Sequence, residues 1–188
     1  MPEELELKAV VPDPAALRAR LERAGAQLGF SGTMEDRRYD RAGELAARGE
    51  VLRIRTYKAE DKPDAVRISW KGPATTSPDG YKQRTELEYR LEPGGPPAEQ
   101  LFLALGYEPI HAIDRQVEYW RLAGADLRVE WYPRMDVLLE VEGDPAAIEQ
   151  AIAATGLPRE SFTAESLDAF TARFARRGGR PAVSRAEL

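Results

Sequence analysis

The sequence predicts an α+β fold in which eight short strands form one sheet large enough to curl on itself, with amphipathic helices packed on its outside. Three observations predict it. Period-two alternation recurs in eight segments of the 188 residues, helical periodicity recurs in four, and the polar faces of the strand segments are dense in both bases and acids. The length fits one domain, taken as residues 1–177, with 178–188 as a basic tail.

The strand segments, in order, are Glu4 to Val10, Thr33 to Tyr39, Val51 to Tyr57, Val66 to Lys71, Lys82 to Leu91, Ile113 to Leu122, Asp126 to Tyr132 and Asp136 to Glu142. Lys58 to Pro63 and Gly72 to Gly80 collect Pro, Asp, Gly, Ser and Thr between strand patterns and read as hairpin connections. A first helix follows Asp13 as N-cap and Pro14 in the first turn, with Leu17, Leu21 and Leu28 on one face until Gly29. Pro97 to Leu105 is a second, shorter helix. Asp144-Pro145 opens a third that pairs Ile148 with Ile152 and ends at Gly156, and Thr163 starts a fourth with Leu167, Phe170 and Phe174 facing one way. The tail has Gly178-Gly179, Pro181 and little apolar content, so composition predicts that it is loosely held.

Composition excludes several functions. With 43% hydrophobic and 31% charged residues the chain is neither a disordered tail nor a membrane protein, and no apolar run approaches the roughly 18 residues of a membrane span. Met1-Pro2-Glu3-Glu4 lacks a signal-peptide pattern, so a cytoplasmic protein is expected. The absence of cysteine and the single His111 exclude disulfides, thiolate zinc, Cys nucleophiles and two-His sites; any metal sits on oxygen. A net charge of -5 provides no general field for nucleic acid, and the arginines at 173, 176, 177, 180 and 185 read as a solvated helix end and tail.

In a strand, residues two apart share a face. Lys8, Arg53, Arg55, Arg67, Lys71, Lys82, Arg84 and Arg128 therefore fall on the polar faces together with Glu4, Glu6, Glu86, Glu88, Glu130, Glu140 and Glu142. If the four helices cover the Leu/Ile/Val face, the charged face turns inward as a polar lumen; the alternative is a wide, open charged sheet. Glu-x-Glu pairs suit a hard divalent cation such as Mg2+ or Mn2+. The neighbouring bases suit a triphosphate, which carries about four negative charges.

These residues carry a resemblance. Glu4-Leu5-Glu6-Leu7-Lys8, followed in order by Asp36-Arg37-Arg38-Tyr39-Asp40, Leu52-Arg53-Ile54-Arg55, Ile68-Ser69-Trp70-Lys71-Gly72-Pro73, Arg84-Thr85-Glu86-Leu87-Glu88, Arg115 and Glu140-Val141-Glu142, is similar to the CYTH superfamily. These triphosphate tunnel metalloenzymes include class IV adenylyl cyclases, thiamine triphosphatases and inorganic triphosphatases. The resemblance implies an eight-stranded antiparallel β-barrel whose tunnel binds a triphosphate with Mg2+ or Mn2+. It implies Lys8, Arg53, Arg55, Lys71, Arg84 and Arg115 as phosphate ligands, and Glu4, Glu6, Glu86, Glu88, Glu140 and Glu142 as the acidic set that holds metal or orients water. Glu130 stands where many members have Asp, and Lys8, Lys71 and Glu6 are the expected catalytic residues.

Three departures mark this chain. Ile113 stands where many members carry a basic residue two positions before Arg115, so one phosphate contact is missing or comes from Arg128 instead. Arg38 replaces the first tyrosine of the thiamine triphosphatases' Tyr-Tyr-Asp run, and no lysine follows Lys82, leaving Arg173, Arg176 or Arg177 for the tunnel mouth. A hydrolase of inorganic triphosphate is the leading expectation. The alternatives are a thiamine triphosphatase, a class IV adenylyl cyclase with Trp70, Tyr81, Trp120 and Trp131 available for a base pocket, and a module that binds a triphosphate or polyphosphate without turnover. His111 is expected to be a surface or packing residue, and homodimerisation is left open by the sequence.

Overall fold

The structure, a computed structural model, describes residues 3–60 and 62–188. Its strands are β1 (Glu3–Val10), β2 (Gln27–Asp40), β3 (Val51–Ala59), β4 (Lys62–Lys71), β5 (Thr75–Thr76), β6 (Lys82–Arg90), β7 (Glu108–Leu122), β8 (Ala125–Trp131) and β9 (Leu138–Glu142). Every pairing is antiparallel. Neighbours run β1-β9-β8-β7-β2-β3-β4-β6, and β6 returns to β1 with Arg84 opposite Glu4 and Lys82 opposite Glu6. That last pairing closes the sheet into a barrel of eight strands and excludes the open charged sheet. The ninth strand, β5, is a two-residue extension beside Lys82 and Gln83.

The helices are α1 (Pro14–Arg23), α2 (Glu44–Ala47), α3 (Ala98–Ala104), α4 (Pro145–Thr155) and α5 (Leu167–Arg176). Asp13 accepts a hydrogen bond from the Ala16 amide and Asp144 from the Ala147 amide, each 2.9 Å, so both Asp-Pro openings cap as the sequence predicts. Gly156 ends α4 in the left-handed conformation at φ 66°. Leu17 and Leu21 of α1, and Ile148 and Ile152 of α4, pack on Leu7, Ala9, Leu127, Leu139 and Val141 from the outer faces of β1, β8 and β9. Each such buried aliphatic side chain contributes on the order of 2 kcal/mol. With the apolar face covered from outside, the charged face can only point inward.

Several boundaries differ from the sequence expectation. α1 stops at Arg23, because Gly25 turns the chain at φ 80° and Leu28 leaves for β2, where it is 41% exposed. β2 is twice the predicted length and β7 half as long again, since they pair with each other from Gln27/Arg121 to Asp40/Glu108. The 58–63 connection tightens, with β3 running to Ala59 and β4 starting at Lys62; Asp61 lies outside the described residues. α5 starts at Leu167 instead of Thr163. Thr163 is engaged in a two-way backbone bridge to Lys8, at 2.9 and 2.8 Å.

The tail is not loosely held. Ala182 pairs with Arg134, the Val183 carbonyl accepts from the Asp114 amide at 2.8 Å, and Asp114 in turn accepts from the Arg185 amide at 2.9 Å. Ser184 and Glu187 form a capping box around a final 3-10 turn. Composition missed this because only two apolar side chains, Ala182 and Val183, do the burying.

Candidate active site in the barrel lumen

The lumen encloses a cavity of about 400 Å3. Its lining joins inward-facing strand residues to an exposed rim that includes Ala46, Gly49, Ile110, Ser166 and Asp168, which is the mouth. The opposite end is plugged by Met34, Tyr57 and Val117, with Phe30 and Tyr119 against them. The Tyr57 and Tyr119 hydroxyls stand 3.2 Å apart, and a separate cavity of about 800 Å3 opens beyond them. The two cavities share no lining residue.

Nine cations line the first cavity: Lys8, Arg38, Arg53, Arg55, Lys71, Lys82, Arg84, Arg115 and Arg128. Seven carboxylates oppose them: Glu6, Asp36, Asp40, Glu50, Glu130, Glu140 and Asp168. Every phosphate ligand expected from the sequence is therefore in one place. Strand alternation explains why, because Arg53 and Arg55 on β3 and Lys82 and Arg84 on β6 sit two apart and share a face, and Arg38 on β2 stands opposite Arg53.

Most of these cations are held by an acid. Lys8 bridges Glu6 at 2.6 Å and Glu140 at 2.5 Å. Burial opposes the charged form, yet Glu140 and Glu6 raise the Lys8 pKa above the ordinary lysine value, so it stays protonated. Lys82 also reaches Glu6. Although burial and Glu140 push the Glu6 carboxyl up, Lys8 and Lys82 bring it below the usual range. Lys71 joins Glu4 at 2.5 Å and Glu86 at 2.6 Å, and Arg53 donates to the Ser69 hydroxyl at 2.6 Å and to Glu86 at 3.0 Å. Arg128 donates to Glu130 at 2.7 Å and also reaches Glu140, while Arg115 lies 3.0 Å from Glu130. Burial favours the neutral Glu130, and Arg115 with Arg128 overrides it. The extra methylene of Glu130 is used to reach both arginines. Arg84 donates to the carbonyls of Gly72 at 2.7 Å and Gly49 at 3.2 Å.

The expected acidic set divides. Carboxylate oxygens of Glu4, Glu140 and Glu142 lie within 4.8 Å of one another, a hard-oxygen donor set that fits a divalent cation such as Mg2+ or Mn2+. Burial, then the neighbouring Glu4 and Glu140 carboxylates, push the Glu142 carboxyl up to about 8. Glu6, Glu86 and Glu130 instead serve the cations. Glu88 is not in the acidic cluster; it pairs with Arg67 at 2.6 Å, and Arg67 lines the second cavity.

Sequence reasoning missed three lumen residues as site members. Asp36 accepts from Arg55 at 2.6 Å and from Arg115 at 2.8 Å, and the alternation of β2, which places it inward, was the available signal. Lys82 was placed on the polar face yet assigned no role. Arg38 was treated as a lost tyrosine, whereas it lines the cavity.

The proposed stand-ins and aromatics lie elsewhere. Arg173 pairs with Glu165 and Arg177 with Asp136, and neither they nor Arg176 line the cavity; the mouth takes Ser166, Leu167 and Asp168 from the start of α5. Trp70 donates to Glu50, Tyr81 to Glu149 and Trp120 to Glu118, and Trp131 packs on the outer core. None of the four lines the first cavity. His111 is half-buried opposite Arg38 on the neighbouring strand, and burial with that arginine lowers its pKa.

No protein-family model and no curated protein matches the sequence. Solved structures do match in fold. PH1819 from Pyrococcus horikoshii OT3 superposes at TM-score 0.72 with 19% identity over 92% of this chain and 99% of its own. A candidate adenylate cyclase from Vibrio parahaemolyticus gives 0.74 with 16% identity over 90% and 97%. HpAC1 from Hippeastrum, a candidate adenylyl cyclase with a dominant triphosphatase activity, gives 0.61 with 16% identity over 98% and 99%. The closed antiparallel barrel of eight strands, with the ordered motifs projecting into its lumen, is the fold that the CYTH resemblance implies, and the chain shares its fold with these neighbours.

Proposed function

We propose that the protein is a divalent-metal-dependent triphosphatase, with inorganic triphosphate as its simplest substrate. One observation carries this reading: nine cations and a cluster of three carboxylates are enclosed in a single barrel. The cavity lining has a formal excess of two positive charges. That excess favours an anion of several negative charges, such as a triphosphate of about four.

The chain's own residues account for binding and orientation. In the ligand-free lumen, Lys8 and Lys71 are held by Glu140 and Glu4. On binding, Lys8 and Lys71 turn from these carboxylates to phosphate oxygens, freeing Glu140 and Glu4, with Glu142, to hold Mg2+ or Mn2+. Arg53, Arg55, Arg84, Arg115 and Arg128 fix the phosphate chain, each contact worth on the order of 4 kcal/mol before desolvation at an effective dielectric near 20. Asp36 and Glu130 keep the Arg55, Arg115 and Arg128 guanidiniums oriented. When bound, the metal supplies charge neutralisation at the phosphoryl group and lowers the pKa of water. Water attacks the terminal phosphorus, the bridging P–O bond breaks, and pyrophosphate and orthophosphate leave.

Hydrolysis ranks above cyclisation because Trp70, Tyr81, Trp120 and Trp131, the aromatics expected to offer a base pocket, lie outside the first cavity, and the two that line it, Tyr39 and Tyr132, are buried and engaged with Phe102 and Glu130. The dominant triphosphatase activity of HpAC1 on the same fold supports the same order. The test is a product-resolved assay with inorganic triphosphate, thiamine triphosphate and ATP, each with Mg2+ and Mn2+. Orthophosphate from inorganic triphosphate is expected. Cyclic AMP and pyrophosphate from ATP would replace this reading with the cyclase, and binding of all three without product would replace it with a triphosphate-binding module.

A further inference from the structure

Among the nine cations that line the first cavity, Arg38 differs from the rest. Lys8, Arg53, Arg55, Lys71, Lys82, Arg115 and Arg128 each have a carboxylate partner, and Arg84 donates to backbone carbonyls. Among the described residues, Arg38 alone of the nine has neither a hydrogen bond nor an ion pair, although its side chain is partly buried. A guanidinium offers five donors; none of the Arg38 nitrogens is fully shut off from water, and Asp36 and Asp168 attract the group without pairing with it, so its donors stay free for a ligand.

Its position gives the vacancy a direction. Arg38 is near the C-terminal end of β2, across from Arg53 on β3 and His111 on β7. Those strand ends meet the mouth, where Ser166, Leu167 and Asp168 also line the cavity. At the other end, the Tyr57–Tyr119 pair closes the lumen beside Arg55 and Arg128. A ligand entering through the mouth therefore places one end near Arg55 and Arg128 and leaves the other near Arg38.

We infer that Arg38 is a specificity residue that binds the mouth-facing terminal phosphate and so favours a triphosphate with an unesterified outer end over one capped by a nucleoside or other organic group. This rests on the triphosphate-binding reading above. An unesterified terminal phosphate has one more free oxygen, and about one more negative charge, than the same phosphate in an ester. A planar guanidinium can take two of its oxygens at once, which lysine cannot do.

The test is calorimetric binding of inorganic triphosphate and of ATP to the parent protein and to Arg38→Gln and Arg38→Lys proteins, with turnover of each in parallel. Arg38→Gln is expected to weaken inorganic triphosphate binding by about tenfold or more and ATP binding by less than about threefold. Arg38→Lys should recover only part of the loss. Equal loss for both ligands, or no loss, overturns the inference while parent turnover of inorganic triphosphate leaves the triphosphatase reading standing. If the parent binds inorganic triphosphate without hydrolysing it, the ratio of the two losses still decides the role of Arg38. A parent that binds neither ligand overturns both. Unchanged circular dichroism and thermal unfolding of the variants separate lost contact from lost fold.

Discussion

Arg55 and Asp36 meet inside the barrel through two hydrogen bonds, Nε to Oδ1 at 2.6 Å and Nη2 to Oδ2 at 3.3 Å, and Arg115 adds a third to the same carboxylate at 2.8 Å. Asp36 is 2% exposed, so this ion cluster forms in a largely desolvated setting. It links β2, β3 and β7, and it holds two arginines where a phosphate chain would lie.

Acid should dissolve that link. Burial alone raises the Asp36 pKa, but Arg55 and Arg115 hold the carboxyl well below the usual carboxylate range. A carboxyl depressed in the folded state stabilises above its unfolded pKa of about 3.9, and the contribution is lost as pH falls toward the folded value. Urea unfolding at neutral pH should show Asp36→Asn less stable by about 3 kcal/mol, the usual cost of leaving a buried partner charge unpaired. The gap should begin to narrow below about pH 4 and close only as pH reaches the depressed folded value. A gap that stays constant with pH would mean that Asp36 does not bind its arginines as a carboxylate.

The three-carboxylate cluster makes a metal prediction. Mn2+ or Mg2+ should raise the melting temperature of the parent protein, because an ion bound by the folded state alone stabilises it by mass action. Glu142→Gln should remove most of that shift, and without metal it should be at least as stable as the parent, since it relieves repulsion from Glu4 and Glu140. A metal-induced shift of undiminished size in Glu142→Gln protein would place the ion elsewhere.

The plugged end should carry stability independently of the charged lumen. Met34 is fully buried between Tyr57 and Val117, so Met34→Ala leaves a cavity and should cost about 2 to 5 kcal/mol in urea unfolding. A loss below about 1 kcal/mol would show that the barrel collapses around the missing atoms.

Removing residues 180–188 should destabilise the protein, although composition favours a free tail. Buried Ala182 and Val183 and the bonds to Asp114 would be lost, lowering the melting temperature by several degrees, roughly 2 to 4 °C per kcal/mol at this size. An unchanged melting curve would contradict the packing described.

The barrel was legible because alternation wrote it twice, as Leu/Ala/Val on one face of β1 and Glu/Glu/Lys on the other. Asp-Pro at both long helix starts gave the caps directly. Other features depend on tertiary context. Nothing in the repeat of Leu17, Leu21 and Leu28 shows that Gly25 hands the last leucine to a strand, and short-range pattern could not extend β2 and β7 to the length that their mutual pairing supports. Within the site, the sequence identified the charges, but not which acids cluster with one another and which pair with lysine or arginine. That division depends on cross-strand register, which placed Glu140 beside Glu142 and Glu4 while leaving Glu88 with Arg67. Arg38 joins the lumen through its register opposite Arg53, which local sequence does not display.

The central claim is that the lumen cations hold a triphosphate for metal-dependent hydrolysis. The most direct measurement is orthophosphate release from inorganic triphosphate, with and without Mg2+ or Mn2+, by the parent and by Arg53→Gln protein whose folding is checked by thermal unfolding. Arg53 lines the cavity and contacts Ser69 and Glu86, so its loss removes a phosphate contact without touching the three-carboxylate cluster. The account predicts metal-dependent release by the parent and at least about a tenfold lower rate constant at limiting substrate in the folded variant. Release that ignores both the metal and the substitution, or no release by the parent, would contradict it.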